Sequence, residues 1–194
     1  MHPSLAAYPH RSWGIDSNSK GYAGVAVLSK IKPVKVTIGM PEHPKVYNGR
    51  IVTLEFEKTF LVATYVTNAG EGLAVRVRAL VFRRSNTDTP LCPQKMGDKQ
   101  KWHEAFARYI TSLDVQKPVI WCGDLNVAPD QRDLSAAKKK WNKQPGYTQI
   151  ETDAHRLLLG GETGVDGAKK FVDVWRERNP DAVGQFSGSS GKPS

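Results

Sequence analysis

Cysteine is scarce in this chain: 194 residues include two, Cys92 and Cys122. Two cysteines cannot build a disulfide framework, and these two have no zinc-site spacing. Cys122 lies inside an apolar run, so the sequence predicts a buried thiol, which suits a reducing, intracellular compartment. Long apolar stretches are also missing. None approaches the roughly 20 residues that cross a membrane, and the opening MHPSLAAYPHRSW has no signal-peptide apolar region. No internal repeat is present. Acidic residues are outnumbered, 19 against 28 Lys and Arg, which leaves a net charge of +9. That excess favours polyanionic partners such as nucleic acid or anionic surfaces, although a merely soluble basic protein would carry it too.

What is there suffices for one packed domain, with 39% hydrophobic and 24% charged residues. Residues 1–20 read as irregular. Residues 22–30 (YAGVAVLSK) and 34–39 (VKVTIG) read as strands. Residues 50–58 and 60–68 alternate and share a short connector, which predicts an antiparallel hairpin. Residues 74–100 hold no sustained period. Trp102, Ala105, Phe106, Tyr109, Ile110 and Leu113 then recur at helical spacing and predict a helix over 101–115. A short apolar strand follows at 118–124, and further helices are predicted at 133–143, 151–160 and 169–180. The end, SGSSGKPS, reads as a disordered tail over 187–194. Strands mixed with helices, including a hairpin, predict an α/β fold with a mixed sheet.

The strand at 118–124 runs into Gly123, Asp124 and Asn126. In extended backbone, positions i and i+2 project to one side, so the carboxylate and the carboxamide would aim at one point. An acceptor-only carboxylate beside an amide donor suits water activation next to oxyanion stabilisation. The plain alternative is a turn, because Gly, Asp and Asn are turn residues for their own backbone bonding. A calcium loop counted from Asp124 fails, since its fifth and sixth positions are Ala128 and Pro129. A second strand end, ATYVTNAGEGL, places Tyr65 and Asn68 before Gly70 and Gly72. A phenol and an amide there can hydrogen-bond a phosphate, though both residues are also ordinary at strand ends.

The stretches TYVTNAG and CGDLNVAP together resemble the exonuclease III class of apurinic/apyrimidinic (AP) endonucleases, within the endonuclease/exonuclease/phosphatase superfamily. The similarity extends to KGYAGVAVLSK, GRIVTLEF, WHEAF and FVDVWR, over roughly residues 8–73 and 101–186. The resemblance implies a four-layered α/β sandwich of two packed mixed sheets, like that of DNase I, over residues 1–186. It also implies Mg²⁺-dependent (or Mn²⁺-dependent) hydrolysis of duplex DNA 5′ to abasic sites, with 3′-end trimming alongside. Carried over, Asp124 orients or deprotonates the attacking water. Asn126 stabilises the transition state, and both stand at the metal. Tyr65 contacts the scissile phosphate, Asn68 makes a neighbouring phosphate or substrate contact, and Gly21 and Tyr22 touch the DNA backbone. A monomer in the nucleus, or the mitochondrion, without membrane association, is what the resemblance implies for partners and place.

Departures accompany the match. The family's upstream Asn and Glu and its terminal Ser-Asp-His segment have no counterpart in these residues, which predicts an incomplete domain whose hydrolysis is orders of magnitude slower than in a full-length relative. Residues 74–100 read as a foreign insertion that loops out of the sheet. Glu71 stands where relatives can carry a basic residue. His103 and His155 read as helix-surface residues rather than catalytic ones. Lys138–Lys140, Lys143 and the arginines of 76–84 are expected to bind duplex DNA weakly, unless the lysines form only a solvated face. Two other functions remain open: a catalytically dead DNA-binding fragment, or another phosphodiesterase such as a DNase I-like nuclease or an inositol phosphatase.

Overall fold

The computed structural model describes residues 5–16, 23–41, 49–67, 93–135 and 137–185, with 93–98 and 137–138 described by backbone alone. Two compact units form. The first draws on residues up to 67, on 102–126 and on 163–169; the second holds the remainder.

In the first unit, β1 (His10–Ile15) pairs antiparallel with β2 (Gly24–Ser29). A second sheet runs in the order β3 (Lys35–Ile38), β4 (Ile51–Glu55), β5 (Phe60–Tyr65), β6 (Val119–Asp124). The β4–β5 hairpin is antiparallel as the alternation predicted, turned by residues 56–59, where Phe56 N donates to Thr59 O. β6 joins β5 in parallel, so the four-stranded sheet is mixed. The β1–β2 sheet lies against β4 and β5. β1 falls where the sequence predicted irregular chain: HRSWGI lacks the alternation that marks a strand, and pairing with β2 supplies its order instead.

Helix α1 (Pro93–Asp114) begins with proline, whose missing N–H costs nothing at a first helical position. It starts eight residues before the predicted 101, inside the stretch expected to loop out, of which 74–92 lie outside the described residues. Trp102, Phe106 and Ile110 are fully buried along one face. That face meets the sheet through Phe106, whose ring lies 5.1 Å from Trp121, and through Tyr109, whose hydroxyl is 2.9 Å from Thr53 Oγ1. Together with Ile51, Leu54 and Val62 these residues form the core of this unit.

Cys122 departs from expectation. It is exposed, and so is Ile120 beside it, because the face of β6 away from α1 is uncovered among the described residues. The sulfur itself is partly desolvated, which pushes the thiol pKa up and keeps it protonated.

The second unit holds a 3₁₀ turn (Gln131–Asp133), α2 (Ala137–Lys140), α3 (Gln149–Gly160) and α4 (Val174–Arg178). The helices predicted over 133–143 and 169–180 shrink to a turn or two. α3 is well capped: Thr148 accepts from Glu151 N, and Gly161 closes the other end at φ 77°. Glu151 is fully buried and accepts from Lys99 Nζ, from Gly146 N at 2.8 Å and from Thr148 Oγ1 at 2.8 Å. His155 is 6% exposed, not a surface residue. Burial lowers its pKa, with Asp173 and Asp133 acting weakly the other way. The tail 187–194 lies outside the described residues.

Candidate active site

The carboxyl ends of β5 and β6 meet side by side. Their parallel register pairs Thr64 with Gly123 and Tyr65 with Asp124, placing the last two backbones about 4.8 Å apart. Adjacent carboxyl ends of parallel strands are a recurrent place for ligands in α/β sheets.

Gly123 makes the approach feasible. Its φ is +118°, and a Cβ there would stand 2.1 Å from Thr64 O. No residue with a side chain fits that gap. Thr64 is itself fixed, its hydroxyl accepting from Trp121 Nε1 at 2.9 Å. β6 thus ends with Asp124 turned outward and exposed.

Asn126 does not continue the strand. Its φ is +46°, in the left-handed region that Asn tolerates better than most residues. Its backbone N–H donates to Asp124 Oδ1 at 3.0 Å, which closes an Asx turn. The extended geometry expected from the sequence is therefore replaced by the turn, and the turn brings the two side chains together. One amide N–H of Asn126 is anchored on Val66 O at 2.8 Å; the other rests on Asp124 Oδ2 at 3.4 Å, a weak contact. Val66 N in turn donates to Asp124 O at 2.9 Å, which locks the ends of both strands.

Tyr65, beside Asp124, is half-buried. Its neighbour is Arg50, which sits just before β4 and whose role no motif in the sequence marks. Arg50 O accepts from Tyr65 N at 2.8 Å, its Nη1 donates to Tyr65 O at 3.1 Å, and its guanidinium lies 4.8 Å from the centre of the Tyr65 ring. The signal available was Gly49 before it: a Cβ there would meet Asp16 N at 2.6 Å and Ala23 O at 2.7 Å, so the chain is forced close to the end of the β1–β2 sheet. Gly21, Tyr22 and Asn68 lie outside the described residues. Of the residues singled out from the sequence, Tyr65, Asp124 and Asn126 come together.

The donor set is hard oxygen: a carboxylate and an amide carbonyl in one turn. Mg²⁺ is commonly held by one or two carboxylates while waters and substrate phosphates complete its octahedron, and this set fits that pattern in kind. Among the described residues, no group of three or more His, Cys, Asp or Glu that could hold a metal ion is present.

The family model described as the endonuclease/exonuclease/phosphatase family matches residues 1–184. The chain belongs to that family. Within it the similarity is to the exonuclease III class. The zebrafish (Danio rerio) protein named DNA repair nuclease APEX1 is 36% identical over 179 residues, covering 91% of this chain and 48% of the relative. An exodeoxyribonuclease of Bacillus subtilis is 36% identical over 170 residues, covering 87% and 55%. Among solved structures, an AP endonuclease from Archaeoglobus fulgidus superposes with a TM-score of 0.65 at 26% identity, covering 92% of this chain and 57% of that one. The chain therefore spans about half the length of the curated relatives it matches. Its fold is the α/β, DNase I-like one, and hydrolases of this family generally depend on a divalent metal. Among the described residues, no helix is long and apolar enough to cross a membrane.

Proposed function

We propose that the chain cleaves the phosphodiester backbone of duplex DNA 5′ to abasic sites, as an AP endonuclease of base-excision repair, with 3′-end trimming as a secondary activity. One observation carries the reading. Tyr65 and Asp124 stand in register on adjacent parallel strands, and Asn126 is folded back onto the Asp124 carboxylate.

In-line attack on a phosphodiester needs a positioned water and donors aimed at the non-bridging oxygens. The exposed Asp124 carboxylate takes the water's proton or fixes its direction. Asn126 keeps its Val66 bond as a hinge and exchanges its weak Asp124 contact for a phosphate oxygen. The Tyr65 hydroxyl donates to the same phosphate. Asp124 and the Asn126 carbonyl oxygen would hold Mg²⁺, or Mn²⁺, which supplies charge neutralisation at the phosphate. The partner is duplex DNA carrying an abasic residue. The net charge of +9 supports its capture, and affinity falls with added salt because binding gains less from releasing counterions into a more concentrated solution.

The test is single-turnover incubation of the 194-residue chain, in excess and for hours, with an end-labelled duplex containing one tetrahydrofuran abasic analogue and Mg²⁺. Strand cleavage immediately 5′ to the analogue, stopped by chelation and absent from undamaged duplex, is the expected result. Equal cleavage of both duplexes would point to a DNase I-like nuclease. Release of phosphate from an inositol polyphosphate, with intact DNA, would point to a phosphatase. Either outcome, or no incision at all, overturns the reading.

A further inference from the structure

We propose that Arg50 is a positioning residue that aims the Tyr65 hydroxyl at the scissile phosphate; this rests on the reading of Tyr65 given above. Residue 50 grips residue 65 in three ways. Its carbonyl accepts from Tyr65 N at 2.8 Å, its Nη1 donates to Tyr65 O at 3.1 Å, and its guanidinium carbon lies 4.8 Å from the ring centre. Backbone pairing alone would leave the ring free to turn about its side-chain torsions. A guanidinium held by the carbonyl on one side and against the ring on the other fixes the ring's direction as well.

Arg50 is 8% exposed, which is unusual for arginine and means that its planar group is packed rather than waving in solvent. The packing starts from Gly49, where any side chain would collide with Asp16 N and Ala23 O. The end of the β1–β2 sheet thus sets Arg50, Arg50 sets Tyr65, and Tyr65 stands in register with Asp124. A lysine keeps the charge but has neither the fork that reaches the carbonyl nor the plane that covers the ring.

A double-mutant cycle tests this. Arg50→Met and Arg50→Lys are made alone and combined with Tyr65→Phe, and each protein is assayed for single-turnover incision of the abasic duplex, for duplex affinity by anisotropy, and for thermal melting. Arg50→Met should slow incision about 10- to 100-fold, the scale of a misplaced catalytic group. Arg50→Lys should recover little of that loss. In the Tyr65→Phe background, where no hydroxyl is left to aim, Arg50→Met should change the rate by less than about twofold. Any loss of melting temperature from Arg50→Met should be the same in both backgrounds, which separates folding from positioning. An equal loss of rate with and without the Tyr65 hydroxyl, or full rescue by lysine, overturns the proposal. If Tyr65→Phe by itself leaves incision unchanged, the assignment of Tyr65 to the phosphate falls, and the role of Arg50 falls with it.

Discussion

Two carboxylates in this molecule are handled in opposite ways. Glu151 is fully buried and accepts from an ammonium, a backbone N–H and a hydroxyl. Its oxygens are committed to holding α3 and the chain before it. Asp124 is exposed at the end of a strand, and its carboxylate accepts from its own turn, one bond from Asn126 N and a weak one from Asn126 Nδ2. Burial and saturation of the oxygens separate a structural carboxylate from a reactive one in the same chain. A saturated, buried group lowers the energy of one conformation. An under-committed group on a rigid mount keeps lone pairs for a ligand.

Replacing each carboxylate should break different things. Asp124→Asn keeps the shape of the turn and removes the base, so incision should drop about 10²–10⁴-fold. Circular dichroism and melting should stay close to those of the parent, and a large fall in melting temperature would mean that Asp124 is structural after all. Glu151→Ala should do the reverse. It leaves Lys99 buried without its counter-charge, and breaking such a pair costs about 3–5 kcal/mol. Urea unfolding reads that loss directly, and an unchanged midpoint would refute it.

Gly123→Ala tests the mount. The positive φ alone costs about 1–3 kcal/mol for a residue with a Cβ, and the clash with Thr64 O adds to it. Incision should fall together with stability here, unlike in Asp124→Asn. The smallest effect belongs to pH. Burial favours the neutral form of His155, so its folded pKa lies below the unfolded value of about 6.5. On acidification the unfolded chain takes up the proton first, and stability falls as pH drops below that value toward the folded pKa. His155→Gln should flatten this part of the melting-temperature profile, and an unaltered profile would assign the acid sensitivity to other groups.

Periodicity made much of this legible. The hairpin of β4 and β5 follows from alternation, and the arrival of β6 at Asp124 from a short apolar run that ends at Gly123. Three features did not follow. The Asx turn at Asn126 depends on a positive φ, and a Gly-Asp-x-Asn string is compatible with both extended and left-handed backbone. Burial of His155 depends on which face of α3 is covered, and a twelve-residue helix with leucines at 157, 158 and 159 does not say which. Exposure of Cys122 has the same origin in β6, where an apolar run reads as buried on both faces although one face is open among the described residues. The role of Arg50 is not legible in the sequence, because its partner is fifteen residues away and no spacing rule links them.

The hydrogen bond from Asn126 to Val66 O also has a bearing on how the molecule is made. It joins residues 60 apart in sequence, and Thr64 and Trp121 are joined across 57. Parallel pairing of this kind closes a long loop before it returns any stabilisation, so it comes late for a chain of this size. The β4–β5 hairpin can form while the chain has no reactive centre at all. Asp124, Asn126 and Tyr65 meet at the step that closes the loop. Pulse-labelled hydrogen exchange during refolding should therefore protect Tyr65 N, bonded to Arg50 O within the hairpin, before Val66 N, bonded to Asp124 O across it.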